Sequence, residues 1–448
     1  MTAEIGGTAT SSERHKGLYR VFVVLVLSAA MAFSIIDRFA LSLLFEPIKA
    51  DLGLSDTQLG LLHGVAFGLF YATMGIPIAW LIDRWSRKWV IFWGIAFWSV
   101  MTALCGFARN YPQLLAARAG VGVGEATLAP AGYSLIADIV PQRYLATSIS
   151  TFQMGALLGG GLAFLVGGEV LRLAELMDFD GIPLLASLAP WQLTFIALAL
   201  PGLIFLALVL LIQEPNQNPP ALETSVAPAT IGLWKELRNK QTFYASLFCG
   251  AACLIAVNYA NMTWMPSVLA REFNWSLPSI GQRFGLLMLI TSPAGVLIGG
   301  LLADQLRRRG IRAPDARVML LAAAMATILV MISMIADSVW LLFGIVGAVQ
   351  FSTAMVIGTG PATVIAAAST GVRAQVSAVY VFMINIVGLG IGPTAVGLMS
   401  DTFFDAGSGV LRSLHVFSLT MCFLSLICLT TLYLRSIRVG GKINGFEN

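Results

Sequence analysis

Residues 79–88 read AWLIDRWSRK, and residues 300–309 read GLLADQLRRR. Each stretch closes a long apolar run with an aspartate, Asp83 or Asp304, followed by a basic turn. A second pair lies further on: PQRYLATSIS (141–150) opens one apolar run and GVRAQVSAVY (371–380) opens another. The two halves of the chain carry the same punctuation at matching places. Internal repetition of this kind among membrane helices points to a binding site where the halves meet.

Working outward from these marks, twelve apolar segments of about 20 residues follow one another. They are 18–45, 56–82, 89–108, 111–137, 144–168, 190–212, 242–270, 279–303, 316–336, 339–368, 373–400 and 411–435. The longest hydrophilic stretch, QEPNQNPPALETSVAPATIGLWKELRNKQ (213–241), divides them six and six. Its Pro- and Asn-rich front reads as flexible linker. Its back sets Ile231, Trp234 and Leu237 against Lys235, Arg238 and Lys240, the pattern of a short helix lying on the inner membrane surface. The expected organisation is a tail (1–17), a six-helix bundle (18–212), the linker (213–241), a second bundle (242–435) and a tail (436–448). This is an all-α membrane protein of twelve transmembrane helices in two pseudo-symmetric bundles.

Composition agrees. Charged residues make up 11% of the 448 residues and hydrophobic ones 57%, against about 25% charged in soluble domains. Mean hydropathy is +0.83. A net charge of +4 without a basic stripe or interleaved aromatics gives no footing for nucleic acid. Five cysteines, Cys105, Cys249, Cys253, Cys422 and Cys428, fall inside apolar runs without CxxC or Cys/His spacing, so no metal site is expected. The apolar stretch behind Arg14, Lys16 and Arg20 is too long for a signal peptide and reads as the first span.

With the N-terminus placed in the cytoplasm, nineteen lysines and arginines fall in cytoplasmic segments. Six (Lys49, Arg109, Arg172, Arg271, Arg283, Arg412) fall in outer loops. This bias predicts a multi-pass protein of the cell (inner) membrane with both termini cytoplasmic.

Only Asp37, Arg38, Arg118 and Glu125 lie well inside spans as charges. Each costs at least about 2.5–3.5 kcal/mol to bury centrally, so they should face a cavity or one another. At 1.5 Å per residue, Asp37 and Arg118 both sit roughly 10–12 Å below the outer surface. Glu125 is two turns deeper, on the same face as Arg118. The expectation is an Asp37–Arg118 contact, either a structural pin between helices or part of a proton site. In the second case an arginine that moves away changes an acid's affinity for protons. Glu125, with no partner one turn away on its own helix, is expected to be the protonation switch, with Asp37 next. His63, at similar depth, could join a relay or simply pack between helices.

The second half has no charge inside its spans. It offers Asn258, Asn261, Gln350, Asn385, Trp264, Met265, Tyr380 and Met383, a set suited to an amphiphile whose head is held by the charged half. GVGVGEATLAPAG (120–132) lacks the G-x-G-x-x-G order of a dinucleotide loop. Its glycines, like those of GALLGGG (155–161) and GLGIGP (388–393), let helices approach closely. The basic turns suggest a gate of Asp83, Arg84, Arg87, Arg143, Asp304 and Arg373, locking helix ends and releasing them when the halves rock. There is no H-E-x-x-H, no serine elbow and no pair of aspartates inside spans, so an enzyme is not expected.

These residues resemble the major facilitator superfamily over the whole chain. Its signature between the second and third helices appears as AWLIDRWSRK, with Ala79 and Ser86 in place of glycines. Within it, DRF (37–39), GLLHGVAFGLFYATMGIP (60–77), DRWSRK (83–88) and RAGVGVGEAT (118–127) resemble the spinster group of proton-coupled lipid transporters. The resemblance implies an alternating-access carrier in the lipid bilayer that acts as a monomer. It needs no cofactor beyond the proton, takes a small amphiphilic substrate of the lysolipid or sphingolipid type, and uses Asp37, Arg38, Arg118 and Glu125 as coupling residues. A multidrug or small organic anion/proton exchanger of the same fold is the alternative.

Overall fold

The computed structural model describes all residues except 1–10, 83, 178–185, 215–231, 370, 405–408 and 444–448. Asp83, the front of the linker and the outer parts of both tails therefore lie outside the described residues. The regular structure within them is helical.

Among the described residues, ten helical stretches are long and apolar enough to cross a membrane: Gly17–Leu43, Arg87–Gly106, Gln142–Leu176, Pro190–Leu210, Gln241–Phe273, Leu277–Arg308, Pro314–Ser333, Val339–Ala367, Gln375–Phe403 and Gly409–Ile437. They supply the first, third and fifth to twelfth crossings. The second and fourth are each made of two shorter helices, Asp56–His63 with Val65–Ile82 and Tyr111–Glu125 with Leu128–Ile139. The expected twelve crossings stand, the second and fourth interrupted in mid-course and the sixth divided at Leu200 into Pro190–Ala199 and Pro201–Leu210. The eleventh is interrupted differently, by a π-helical turn over Asn385–Ile391.

Local chemistry sets the ends. Ser55 accepts a bond from the Gln58 backbone while the Gln58 side chain accepts from the Ser55 backbone, a reciprocal cap that starts the second crossing. Asn110 caps the fourth through the Gln113 N–H. Gly53, at φ +63°, ends the short helix Phe45–Leu52 in the left-handed conformation that glycine adopts without strain.

An even number of crossings puts both chain ends on one side, called here the terminal side. The halves meet along two seams, the second crossing against the eleventh and the fifth against the eighth. Both seams depend on the absence of side chains. A Cβ on Gly64 would lie 2.4 Å from the carbonyl oxygen of Gly390, and one on Gly161 would lie 2.6 Å from the backbone nitrogen of Leu289. Towards the terminal side the helices part: Gly75 and Gly300 face open space, and Gln153 and Gln375 are exposed. The protein is sealed on the far side and splayed on the terminal side.

The back of the linker forms the expected short helix, Leu233–Asn239, with Trp234 fully turned out. It is pinned by buried Glu236, which accepts bonds from Lys240 (2.9 Å), Tyr244 (2.9 Å) and Ser369 (3.1 Å). Burial pushes this carboxyl up, but the three donors outweigh burial and hold it below the usual range. A depressed acid stabilises the fold above its ordinary titration range and loses that contribution as pH falls through its folded value. Glu236→Gln is therefore expected to lower thermal stability at pH 7 by about 1–2 kcal/mol, a deficit that shrinks when unfolding is followed near pH 4.

Candidate functional site: a buried charge cluster under the far-side seal

The four intramembrane charges come together where the first crossing meets the interrupted second and fourth. Asp37, Arg38, Arg118 and Glu125 are all buried, none more than 4% exposed. Their pairing differs from the expectation. Arg38 Nη2 lies 2.8 Å from Glu125 Oε2, and Ser34 Oγ donates to the same oxygen at 2.8 Å. Asp37 instead accepts a bond from Thr102 of the third crossing at 2.6 Å. Arg118 forms no ion pair among the described residues; its Nη2 reaches only the Arg38 carbonyl oxygen, at 3.4 Å. Neighbouring helical residues point about 100° apart, and it is the Arg38 guanidinium that reaches the Glu125 carboxylate while Asp37 bonds Thr102. Glu125 finds its partners on the first crossing and not on its own helix.

The cluster is balanced in charge and incompletely bonded. Asp37 Oδ1, Glu125 Oε1, Arg38 Nε and Arg118 Nε and Nη1 have no hydrogen-bond partner among the described residues. The Arg38 guanidinium lies over Phe67 at 4.4 Å and Tyr71 at 4.9 Å, and Arg118 lies over Phe67 at 5.8 Å. These contacts hold cations by the ring quadrupole without neutralising them. Glu125 ends the first helix of the fourth crossing, beside the break at Ala126–Thr127. Interrupted helices at membrane depth occur where backbone lines a site. Phe39 carries the cluster to the second half by stacking on Tyr259, with centroids 5.8 Å apart and planes at 7°.

Sequence reasoning missed Ser34, Thr102, Phe67, Tyr71 and Tyr259. Ser34 had a signal, standing four residues before Arg38 on the same helix face; Phe67 and Tyr71 share that i, i+4 spacing.

Of the substrate-pocket candidates, several are packed away. His63 is buried between Phe39 and Phe45 (5.4 and 6.2 Å), its Nδ1 3.4 Å from Ser42 Oγ. Trp264 meets Phe45 edge-on at 5.1 Å and donates to the Pro393 carbonyl at 2.8 Å, so it belongs to the far-side seal. Met265 is buried beside it, and Tyr380 is buried against Phe248 inside the second half. Asn258 is bonded to Thr353 and Asn261 to the Val257 carbonyl. Met383 and Asn385 remain partly exposed on the splayed flank.

Of the described gate residues, Arg84, Arg87, Arg143 and Asp304 make their contacts within their own halves. Arg87 pairs with Asp138, Arg84 lies over Trp80 at 4.1 Å, and Arg143 lies over Tyr144 at 4.7 Å. Asp304 meets Arg307 at 2.7 Å, and Arg307 also meets Asp315 at 2.9 Å. Arg373 is exposed at the start of its helix. Glu214, unforeseen, accepts from Ser86 and from the Arg87 backbone (2.8 Å), capping the third crossing.

The lock between the halves lies on the far side. Arg271 of the seventh crossing binds Glu46 (2.8 Å) and, through two nitrogens, Asp56 (both 2.8 Å). Asp56 also accepts from Lys49 (2.5 Å) and Ser400 (2.8 Å). Asp401 of the eleventh crossing accepts from the backbones of Asp56 (3.2 Å) and Thr57 (2.6 Å), so a carboxylate of one half sits at the helix N-terminus of the other.

Against known proteins, the profile described as Major Facilitator Superfamily matches residues 27–393. An "MFS-type efflux pump" of Mycolicibacterium smegmatis is 30% identical over 401 residues, covering 88% of this chain and 87% of that protein. "Protein spinster homolog 1" of Xenopus laevis is 30% identical over 312 residues, 65% of this chain and 56% of that protein. In structure, a bacterial homologue of the human lysosomal transporter Spinster, crystallised inward-facing and unoccupied, superposes with a TM-score of 0.80. It is 25% identical, covering 96% of this chain and 98% of that one.

Proposed function

Because the chain belongs to the major facilitator superfamily, and is thus a membrane transporter and not an enzyme, we propose that it is a proton-coupled secondary carrier. It works by alternating access on a lipid-like amphiphile of the lysolipid or sphingolipid type. The observation that carries this is the buried Arg38–Glu125 pair beside an Arg118 that forms no ion pair among the described residues. A proton on Glu125 removes the charge that holds Arg38, leaving two guanidiniums to meet an anionic head group. The apolar tail then lies along the second half, by Tyr259, Met383 and Asn385. Head-group binding would return charge balance to the cluster, so proton and substrate favour the same state of these four residues and each promotes binding of the other. The likeness to spinster proteins supports the amphiphile.

In this reading the carrier acts as a monomer in the cell membrane. Both termini are cytoplasmic, by the distribution of lysine and arginine. The terminal side is then the cytoplasmic one, and the far-side seal faces outward. A second reading, export of drugs or small organic anions in exchange for protons, draws on the similarity to the mycobacterial efflux pump.

The test uses the purified protein in liposomes loaded with a pH-sensitive dye. Lysophospholipid or sphingosine phosphate is expected to trigger a pH change that Glu125→Gln abolishes. A response to drugs or organic anions but to no lipid would favour the second reading. Flux of labelled lipid with no pH change would overturn proton coupling.

A further inference from the structure

The terminal-side end of the second half contains a cavity of about 790 Å³, lined by none of the four cluster residues. The linker helix, the start of the seventh crossing, the ends of the eighth, tenth and twelfth, and the start of the ninth all line it. Four cations and one carboxylate line it: Arg238, Lys240, Arg307 and Arg435, with Asp315. Two of the cations are committed. Lys240 is held by Glu236 and the Ala367 carbonyl, and Arg307 by Asp304 and Asp315. Arg238 and Arg435 have no ion pair among the described residues, and both are exposed. Phe243, Ala316, Thr363 and Ala366 supply a floor that is apolar apart from the Thr363 hydroxyl, which is already bonded to the Thr359 carbonyl.

From this arrangement we infer that the cavity binds the phosphate head group of an anionic glycerolipid from the surrounding leaflet. Two uncommitted guanidiniums match a phosphodiester, which takes paired N–H donors. A lipid is favoured over a soluble phosphate by what adjoins the cavity. Leu434, next to Arg435, is 49% exposed and Ile427, two turns along the same helix, is 65% exposed, so the twelfth crossing offers an apolar face on which acyl chains can lie. Basic pockets between helices at this level of a membrane are suited to such head groups. Because Arg238 belongs to the linker and Arg435 to the last crossing, a bound lipid would fasten the linker to the second half.

The experiment is native mass spectrometry of the full-length protein released from phosphatidylcholine nanodiscs doped with phosphatidylglycerol. The wild type is expected to retain phosphatidylglycerol. The double variant Arg238→Gln/Arg435→Gln should weaken retention by about 30-fold. Arg238→Lys/Arg435→Lys, which keeps the charge, should retain part of it and so report on folding. Arg308→Gln/Arg309→Gln, on the same surface but outside the cavity, should leave retention unchanged. Equal retention by the double glutamine variant would overturn the inference. So would an equal loss in the Arg308/Arg309 control, which would mean diffuse surface attraction. Displacement of the lipid by millimolar glycerol phosphate would reassign the cavity to a soluble anion.

Discussion

Replacing Arg38 by glutamine is expected to cost about 3–5 kcal/mol of stability, because it leaves Glu125 buried as an uncompensated carboxylate. Replacing Glu125 by glutamine in the same chain is expected to return most of that loss. The two side chains are 2.8 Å apart and almost fully enclosed, so their substitutions should be strongly non-additive. Thermal unfolding of the two single variants and the double variant measures the coupling. Transport should behave differently. If the pair only pinned the first crossing to the fourth, the stabilised double variant would carry substrate as the wild type does. If it couples protons to movement, the double variant should fold well and fail to respond to a pH gradient. Recovery of both stability and pH-driven transport in the double variant would reduce the pair to a structural pin. A folded but uncoupled double variant separates the two roles within one set of proteins.

Arg271→Gln is expected to open the far side. In the structure Arg271 joins Glu46 and Asp56 of one half to the seventh crossing of the other. Its removal strips the principal cation from two carboxylates while leaving Lys49 and Ser400 on Asp56. Loss of one partner from such a partly buried, hydrogen-bonded pair is worth about 2–3 kcal/mol, a shift of roughly 30- to 150-fold in the balance between sealed and open states. Spin labels at Ala50 and Ser338, exposed positions on the far side of the two halves, would report it as a longer separation. An unchanged distance distribution would mean that the glycine seams alone hold the seal. The wild-type seal should also survive moderate salt, since partly buried pairs are screened less than exposed ones.

Hydropathy was enough to read the twelve crossings, because a membrane span must be apolar over a length set by the bilayer. The four cluster residues were legible for the same reason: a charge among apolar residues is conspicuous. Their partners were not. Periodicity gives the depth of Asp37, Arg38, Arg118 and Glu125 but not how the first and fourth helices are turned about their axes, and that rotation decided that Arg38 meets Glu125. The far-side lock was hidden for another reason. Lys49 and Arg271 read as ordinary loop cations, and the Asp401 cap on the second crossing joins residues 344 apart in sequence. Trp264 and Tyr380 have the aromatic character of pocket residues, but burial within the seal and within the second half makes them packing. No local pattern distinguishes these cases.

The seams at Gly64 and Gly161 have a consequence for how the protein can vary over time. Where main chain lies directly on main chain, even a methyl group would have to occupy space already filled by a carbonyl oxygen or a backbone nitrogen. Drift at these two positions is therefore closed off, while the splayed flank, with open space at Gly75 and Gly300, can accept larger residues. The freedom to acquire new cargo is thus confined to one end of the molecule. A lineage of such carriers could change what it moves while keeping unaltered the way it shuts.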